Sequence, residues 1–596
     1  MVFGRRKKGA SSAANGLISH DLVFVEEFDA LSIEVKLGTA LAAPHNASLK
    51  FPAKLHARKV AKELGIAEGL IYLPGLPSLV YEDSDMGPAF RQRRYFYYLG
   101  GVDYEDCAVT YDLASDNLVL WVPYIDPRQV LWYGSGPKIE ECKQAVDIDD
   151  VRYVQDLDGF LRKRLGVSGS GIVSASVGSS FCCDRKGLRV ANADSARPSP
   201  TVLLVLHPDQ VPAWLRQDVS GFSSVRVDTR KLQPAMDSAR VVKTAYEIAQ
   251  IRQANDVSSS AHREVLHRLK GLSNEREIEA VFLNHCLAVY GAKHQSYGVI
   301  AGSGANASVL HYFTNDEPLA GRQLVCLDAG AEWKLYASDV TRTFPISGVF
   351  TAEAAAIYAA VDRMQTEVIE QFQPGVAFRD LHLHAASVAA EELLRLGILK
   401  NATVQQIVAA GTIAAFFPHG LGHHVGLEVH DVLSPELMAA APKASAAARE
   451  SQEMEARAAA AASSIPALSS LSGRGTNARG KRLLVTPHMY ATLARDAAIE
   501  AERAAVMSSV REKRRLLEPG MIITVEPGIY FCRPYIEAFF LADPSHARFI
   551  DKDVLERYYA VGGVRIEDCL LVTEDGHEDL TTAPKGEEAL RIINSN

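Results

Sequence analysis

Four acidic side chains stand where β-strands ordinarily carry apolar ones. In LVCLDAGAEWKLYASDVTRTF, Asp328 ends an apolar run and Asp339 follows eleven residues later. The intervening AGAEWKLYAS has room to turn and start back, so the two carboxylates can converge across a hairpin. Further on, MIITVEPGIYF sets Glu526 among β-formers, and GGVRIEDCLLVT sets Glu567 in a strand beside Arg565 and Asp568. A buried carboxylate costs several kcal/mol unless it is paired, hydrogen-bonded or bound to a metal. One such acid reads as a salt bridge or a strand-end cap. Four of them, with a histidine-rich loop between the pairs, call for cations.

That loop is PHGLGHHVGLEVHD, residues 418–431, which carries His419, His423, His424 and His430. Its Gly420, Gly422 and Gly426 permit unusual backbone angles and close approach. Oxygen-rich ligation with an imidazole suits two hard or borderline divalent ions better than a structural zinc, which favours thiolate or imidazole. Two such ions carry a charge of +4 against −4 on four carboxylates. A pair of metals ~3.5–4 Å apart that activates water and grips a carbonyl is a hydrolase arrangement. The residues therefore predict metal-assisted hydrolysis.

Several elements must bring these side chains together. A helix is expected over Tyr246 to Arg268. Asn274, with Glu277 three positions on, has the form of a capping box opening a second helix through Val289, which Gly291 closes. A β-rich stretch covers residues 296–347, helices follow over residues 352–372 and 379–396, and strands over residues 521–531 and 563–573 end the pattern. Ahead of it, residues 20–230 mix strands such as NLVLWVPY (117–124) and TVLLVLH (201–207) with helical stretches such as residues 52–64. A boundary is expected near residues 230–240. Residues 434–511 break the rhythm with Ala-, Ser- and Gly-rich runs. They read as a low-complexity insertion whose helical pieces lack an apolar face, since structureless loops of this length are rare in compact domains.

Composition narrows the class. Of 596 residues, 47% are hydrophobic and 23% charged, which excludes a disordered, collagen-like or disulfide-scaffold chain. Lys and Arg number 63 against 72 Asp and Glu, a net charge of −9, so no nucleic-acid partner is expected. The eight scattered cysteines read as reduced thiols, and no apolar run approaches the ~18 residues a membrane span needs. The basic start, MVFGRRKKGASSAANG, lacks the apolar core of a secretory signal, so residues 1–19 are expected to be a disordered tail and the cytoplasm the location.

The order Asp328, Asp339, His423, Glu526, Glu567, with HGLGHHVGLEVHD and VEPGIYF among them, resembles the pita-bread metallopeptidases. That group contains methionine aminopeptidase, Xaa-Pro aminopeptidase and prolidase. FRQRRYFYYLGG and VLERYYAVGGVRIEDCLLVTEDGHEDLTTAPK are similar to the fungal Xaa-Pro aminopeptidase/prolidase subgroup, and the resemblance spans about residues 20–433 and 512–590. It implies a chain of the α/β and α+β classes. An N-terminal creatinase/prolidase-like α/β capping domain (20–235) would precede a C-terminal pita-bread catalytic domain (236–433 and 512–596), which the 434–511 insertion interrupts.

The resemblance also implies roles. Asp339 and Glu567 would bridge two divalent ions, manganese with cobalt or zinc as alternatives. Asp328 would complete one ion, and His423 with Glu526 the other. Glu526 would also shuttle the proton, His311 and His430 would contact substrate and stabilise the tetrahedral intermediate, and Arg565 would position substrate or a ligand. His419 would shape the pocket, and His424 would be a neighbour. The implied activity is removal of an N-terminal residue that precedes proline, on short peptides, by a homodimer. The alternatives are prolidase, with Arg565 and the basic run at residues 511–515 capturing a dipeptide carboxylate, and a metal-free pita-bread binding protein.

Overall fold

The structure, a computed structural model, describes residues 50–167, 201–217, 225–438, 485–504 and 516–595. The expected tail, the basic run at residues 511–515 and most of the 434–511 segment lie outside the described residues.

Six strands form the N-terminal sheet: β1 (Leu70–Pro74), β2 (Ala108–Asp112), β3 (Asn117–Val122), β4 (Asp150–Tyr153), β5 (Thr201–Leu204) and β6 (Val225–Asp228). Their order is β4-β3-β2-β1-β5-β6. β1 pairs antiparallel with β2 and parallel with β5, so the sheet is mixed. Leu118, Leu120 and Val122 alternate onto the face that buries Phe96, Tyr98 and Met236, while Val119 and Trp121 face the opposite core beneath Leu157 and Leu161. This is the period-two pattern of a strand covered on both sides.

The helix Ala245–Arg268 opens with a capping box of Thr244 and Glu247. The helix Glu275–Tyr290 opens with the expected box of Asn274 and Glu277 and ends at Gly291, whose φ of 72° is left-handed. Beyond them, β7 (His294–Gln295) pairs with β10 (Ala331–Trp333), which pairs with β11 (Tyr336–Ala337). β8 (Ile300–Ser303), β9 (Leu324–Asp328) and β12 (Thr341–Pro345) make an antiparallel sheet. The helices Ala352–Glu370 and Phe378–Arg395 bury Ile357, Val361, Met364, Leu381 and Leu393 in the largest core, together with Ile523, Val525 and Leu570.

Two expectations are corrected. The closing strands are each broken in two, into β13 (Ile522–Val525) and β14 (Gly528–Tyr530), and into β15 (Gly563–Arg565) and β16 (Asp568–Val572). β13 pairs with β16, which pairs with β17 (His577–Asp579), whereas β14 pairs only with β15. Glu526 and Glu567 sit at the breaks. Pro527 lacks the N–H a continuous ladder needs, and the glutamate amides turn elsewhere: Glu526 N donates to Leu421 O (2.8 Å) and Glu567 N to Thr341 O (3.1 Å).

The second correction concerns the 434–511 segment, whose described parts do possess an apolar face. The short helix Ser434–Leu437 buries Leu437, and in the helix Pro487–Ala504 Tyr490 enters the main core and Leu493 is buried. The Tyr490 hydroxyl donates to Phe417 O (2.9 Å), its ring stacks on His382, and Val485 N donates to Pro418 O (2.7 Å). Rows of Ala and Glu in sequence concealed this narrow stripe.

Candidate metal centre

The β9–β12 pairing sets Thr341 opposite Asp328 and leaves Asp339 two residues before that pair, so the hairpin does bring the two aspartates together. Thr341 also meets Glu567, through an isolated bridge and through its hydroxyl, which donates to Glu567 Oε2 (2.6 Å). The histidine loop runs along β13: Thr524 N donates to His423 O (2.9 Å), His423 N to Thr524 Oγ1 (3.0 Å) and Val425 N to Ile522 O (3.0 Å). This closeness requires Gly422, where a Cβ would overlap the Thr524 carbonyl oxygen, and Gly426, where it would overlap the Asp431 carboxylate. Neither of these glycines, nor Gly420, has positive φ. The expected unusual backbone angles are therefore absent, and close approach is the reason for two of the three.

Ligand atoms of Asp328, Asp339 and Glu567 lie within 4.8 Å of one another, as do those of His423, Glu526 and Glu567, and those of Asp339, His423 and His430. All five expected ligand residues thus fall into overlapping triplets that share Glu567, Asp339 and His423.

The donor set fits cations. The neutral His423 ring places Nδ1 3.1 Å from His424 O, which accepts its proton. Nε2 is left as a lone pair, yet it faces Asp339 Oδ2 at 3.2 Å and Glu526 Oε1 at 3.3 Å. Burial pushes this imidazole down to about 4, so the ring itself takes up no second proton near neutrality. Asp328 Oδ1 and Glu567 Oε1 are buried without a hydrogen-bond partner among the described residues. Burial first, then neighbouring carboxylates, holds Asp339, Glu526 and Glu567 well above the usual carboxylate range. Acceptors crowded in this way need positive charge between them.

The surroundings orient these ligands. Arg565 is buried and fully engaged: Nη2 donates to Asp328 Oδ2 (2.6 Å), Nε to Thr341 Oγ1 (3.0 Å) and Nη1 to the Tyr530 hydroxyl (2.9 Å). Tyr530 in turn meets His419 Nε2 (2.8 Å), and His419 Nδ1 donates to Gly420 O (2.8 Å), so the tyrosine is the donor in that pair. Arg565 is therefore placed behind Asp328 and is not free to capture a dipeptide carboxylate. On the far side, Arg342 stitches the two sheets together by donating to Glu567 O (2.7 Å) and Asp568 Oδ1 (2.6 Å). The Tyr297 hydroxyl accepts from Val340 N (3.4 Å), and burial first, then the charges of Asp328, Asp339 and Glu567, hold it well above the usual phenol range.

His430 and His311 are exposed to solvent beside this cluster. The His430 ring meets that of His423 edge-on, with centroids 4.3 Å apart, and the groups packed around its inner side, then His423, lower its pKa. His311 is lowered chiefly by desolvation, against the attraction of Asp328. Thr341, Thr524, Tyr530 and Tyr297 were not identified from the sequence. They are neutral and suit strands, so nothing in their local pattern marks them. Thr341, Thr524 and Tyr530 lay within segments quoted for their acids, and Tyr297 lay in none.

Comparison with known proteins finds the same combination elsewhere. The family model of metallopeptidase family M24 matches residues 249–458 and 496–574, and that of the aminopeptidase P N-terminal domain matches residues 54–173. A protein of Metarhizium acridum named probable Xaa-Pro aminopeptidase is 50% identical over 578 residues, covering 97% of this chain and 99% of that protein. One of the same name from Colletotrichum graminicola is 51% identical over 586 residues, with the same coverage. Among solved structures, zinc-substituted aminopeptidase P of E. coli with bound product is 22% identical with a TM-score of 0.60, and the form with the inhibitor Pro-Leu scores 0.61. Each covers 92% of this chain and 99% of its own.

Proposed function

Since the chain belongs to metallopeptidase family M24, with an aminopeptidase P N-terminal domain and Xaa-Pro aminopeptidases as relatives, we propose that it removes the N-terminal residue preceding a penultimate proline. The observation that carries this reading is the gathering of Asp328, Asp339, His423, Glu526 and Glu567, with the His423 lone pair turned on two carboxylates. Asp339 and Glu567 would be shared between two ions, Asp328 would complete one, and His423 with Glu526 the other. When bound, the ions, manganese in our reading with cobalt or zinc as alternatives, would supply an acidified water and polarise the scissile carbonyl.

The bond before proline is a tertiary amide, so its nitrogen must be protonated before it can leave. Glu526 suits that task, being the one carboxylate of the four that is not fully buried. Its carboxylate takes the proton from the attacking water and returns it to the prolyl nitrogen. His430 and His311, both neutral near pH 7, donate hydrogen bonds to substrate and to the oxygen that gains charge. Arg565, through Asp328, Thr341 and Tyr530, holds the ligands in place rather than the substrate. That commitment favours the aminopeptidase over the prolidase reading. Short peptides as substrates, a homodimer, a cytoplasmic location and a domain boundary near residue 235 complete the proposal. Gel filtration with light scattering tests the dimer.

A manganese-supplemented series of Xaa-Pro dipeptides and Xaa-Pro-Yaa tripeptides tests the activity. Tripeptides are expected to turn over faster than dipeptides. Glu526→Gln is expected to lower kcat by about 10²–10⁴ through loss of acid–base catalysis. Equal turnover by wild type and Glu526→Gln would remove Glu526 from its role, and dipeptide-only cleavage would establish a prolidase.

A further inference from the structure

Glu275 is the first residue of the helix Glu275–Tyr290 and is completely buried. A carboxylate withdrawn from water must have its lone pairs met. Five donors meet this one, all from residues 303–317, the loop between β8 and β9. Ser303 N (2.8 Å), Ser303 Oγ (2.6 Å) and Asn306 Nδ2 (3.1 Å) donate to Oε1. The Tyr312 hydroxyl (2.9 Å) and Glu317 N (3.1 Å) donate to Oε2. The nearest cation, Arg322, stands 3.8 Å away and donates instead to Ser303 O (2.7 Å). One oxygen therefore holds the start of the loop and the other holds its end.

His311 lies within this loop, next to Tyr312. Its own ring stacks on Phe313 with centroids 6.0 Å apart and accepts or donates no hydrogen bond among the described residues. Apart from the short 3₁₀ turn Gly304–Ser308, the loop has no regular structure to fix its path. The turn that leads to it nonetheless lies against β15, the strand of Arg565, where a Cβ on Gly563 would overlap Ala307 O, and the ring is within electrostatic reach of Asp328 and Arg565. Its placement thus depends on the backbone at Tyr312, anchored on Glu275 through the tyrosine hydroxyl, and on Asn315, whose Nδ2 donates to Val299 O (2.8 Å) and Glu279 Oε2 (2.9 Å).

We propose that Glu275 is a positioning residue for the reaction: its buried carboxylate clamps both ends of the 303–317 loop and so holds His311 over the metal centre, touching no substrate itself. This rests on the reading of His311 as a substrate contact.

A double-mutant cycle tests it, with Glu275→Gln and Tyr312→Phe each made in wild type and in His311→Ala, assayed on an Xaa-Pro-Yaa tripeptide with manganese. Either variant alone is expected to lower kcat/KM about 10- to 100-fold, the cost of a misplaced contact, with bound manganese unchanged. In the His311→Ala background each is expected to cost about twofold or less, because contributions that pass through one residue do not add. A full additional loss in that background, or wild-type kcat/KM in both single variants, would overturn the clamp. Wild-type kcat/KM in His311→Ala would overturn it too, by removing the contact it serves. Should Glu275→Gln not fold, Tyr312→Phe, which deletes one hydroxyl, carries the cycle. If wild type cleaves no Xaa-Pro peptide, the functional reading fails separately, and amide exchange of residues 303–317 still reads the clamp. Exchange there should be about tenfold faster in Tyr312→Phe, as for a loop with one tether cut, and unchanged exchange would refute it.

Discussion

His423 turns its protonated nitrogen toward a backbone carbonyl and its lone pair toward Asp339 and Glu526. The tautomer is thereby chosen before any cation arrives, which is how a carbonyl behind an imidazole prepares a ligand. Gly422 makes this geometry possible by letting the loop backbone lie against Thr524. Gly422→Ala is expected to push the loop off β13, costing about 1–3 kcal/mol of stability through overpacking and lowering manganese affinity. Thermal melting and metal titration check both. Among single residues, the charged members of the site were legible in the chain because an acid in an apolar strand is anomalous. Tyr530 and Thr341 were not, because a hydroxyl in a strand is ordinary until its partner is known.

The elements contribute through their interruptions. A continuous strand over residues 521–531 would alternate its side chains and pair its amides with one neighbour. The break at Glu526–Pro527 instead sends the Glu526 amide to the histidine loop, and the break before Asp568 sends the Glu567 amide to Thr341. Four chain segments, the two broken strands, the histidine loop and β12, are joined in this way at the two glutamates. The helix Pro487–Ala504 adds a further support, pressing Tyr490 between His382 and the backbone of Phe417, two residues before His419. Tyr490→Ala is expected to cost about 3 kcal/mol, as for other large buried rings, measured by chemical denaturation. A cost below about 0.5 kcal/mol, the range of surface changes, would mean the helix is not docked. Helix ends were readable from Asn274, Glu277 and Gly291, since capping is local chemistry. The strand breaks and this docked face were not, since both depend on neighbours distant in the chain.

Across the molecule, buried ion pairs tie the N-terminal sheet's flank to the catalytic part. Arg91 and Arg94 both donate to Glu332 in β10, and Arg240 and Lys243 both donate to Asp431, the residue after His430. The metal centre itself opposes folding when no cation is present. Asp339, Glu526 and Glu567 have raised pKa values in the folded chain, so the stability linked to them is full below the unfolded carboxylate range and is lost as pH climbs through the folded values. Buried His262 and His382 act in the opposite direction. Burial lowers them to about 4 and about 3, and the stability they contribute is full above the ordinary imidazole value and lost as pH falls through those values. Chelator-treated protein is therefore expected to melt at a lower temperature near pH 8 than near pH 6.5, and manganese to raise the melting temperature more at the higher pH. Equal shifts at both values in differential scanning calorimetry would contradict this linkage.

The four acids of the candidate metal centre were legible in the chain, because burying charge is so costly that acids in apolar strands have few other uses. Their grouping, the commitment of Arg565 to Asp328 and the service Glu275 gives to His311 were decided only when the sheets closed. Those relations join residues tens to hundreds of positions apart, Tyr312 to Glu275 and Arg565 to Asp328 through hydrogen bonds, and a hydrogen bond leaves no trace in the local pattern of either partner.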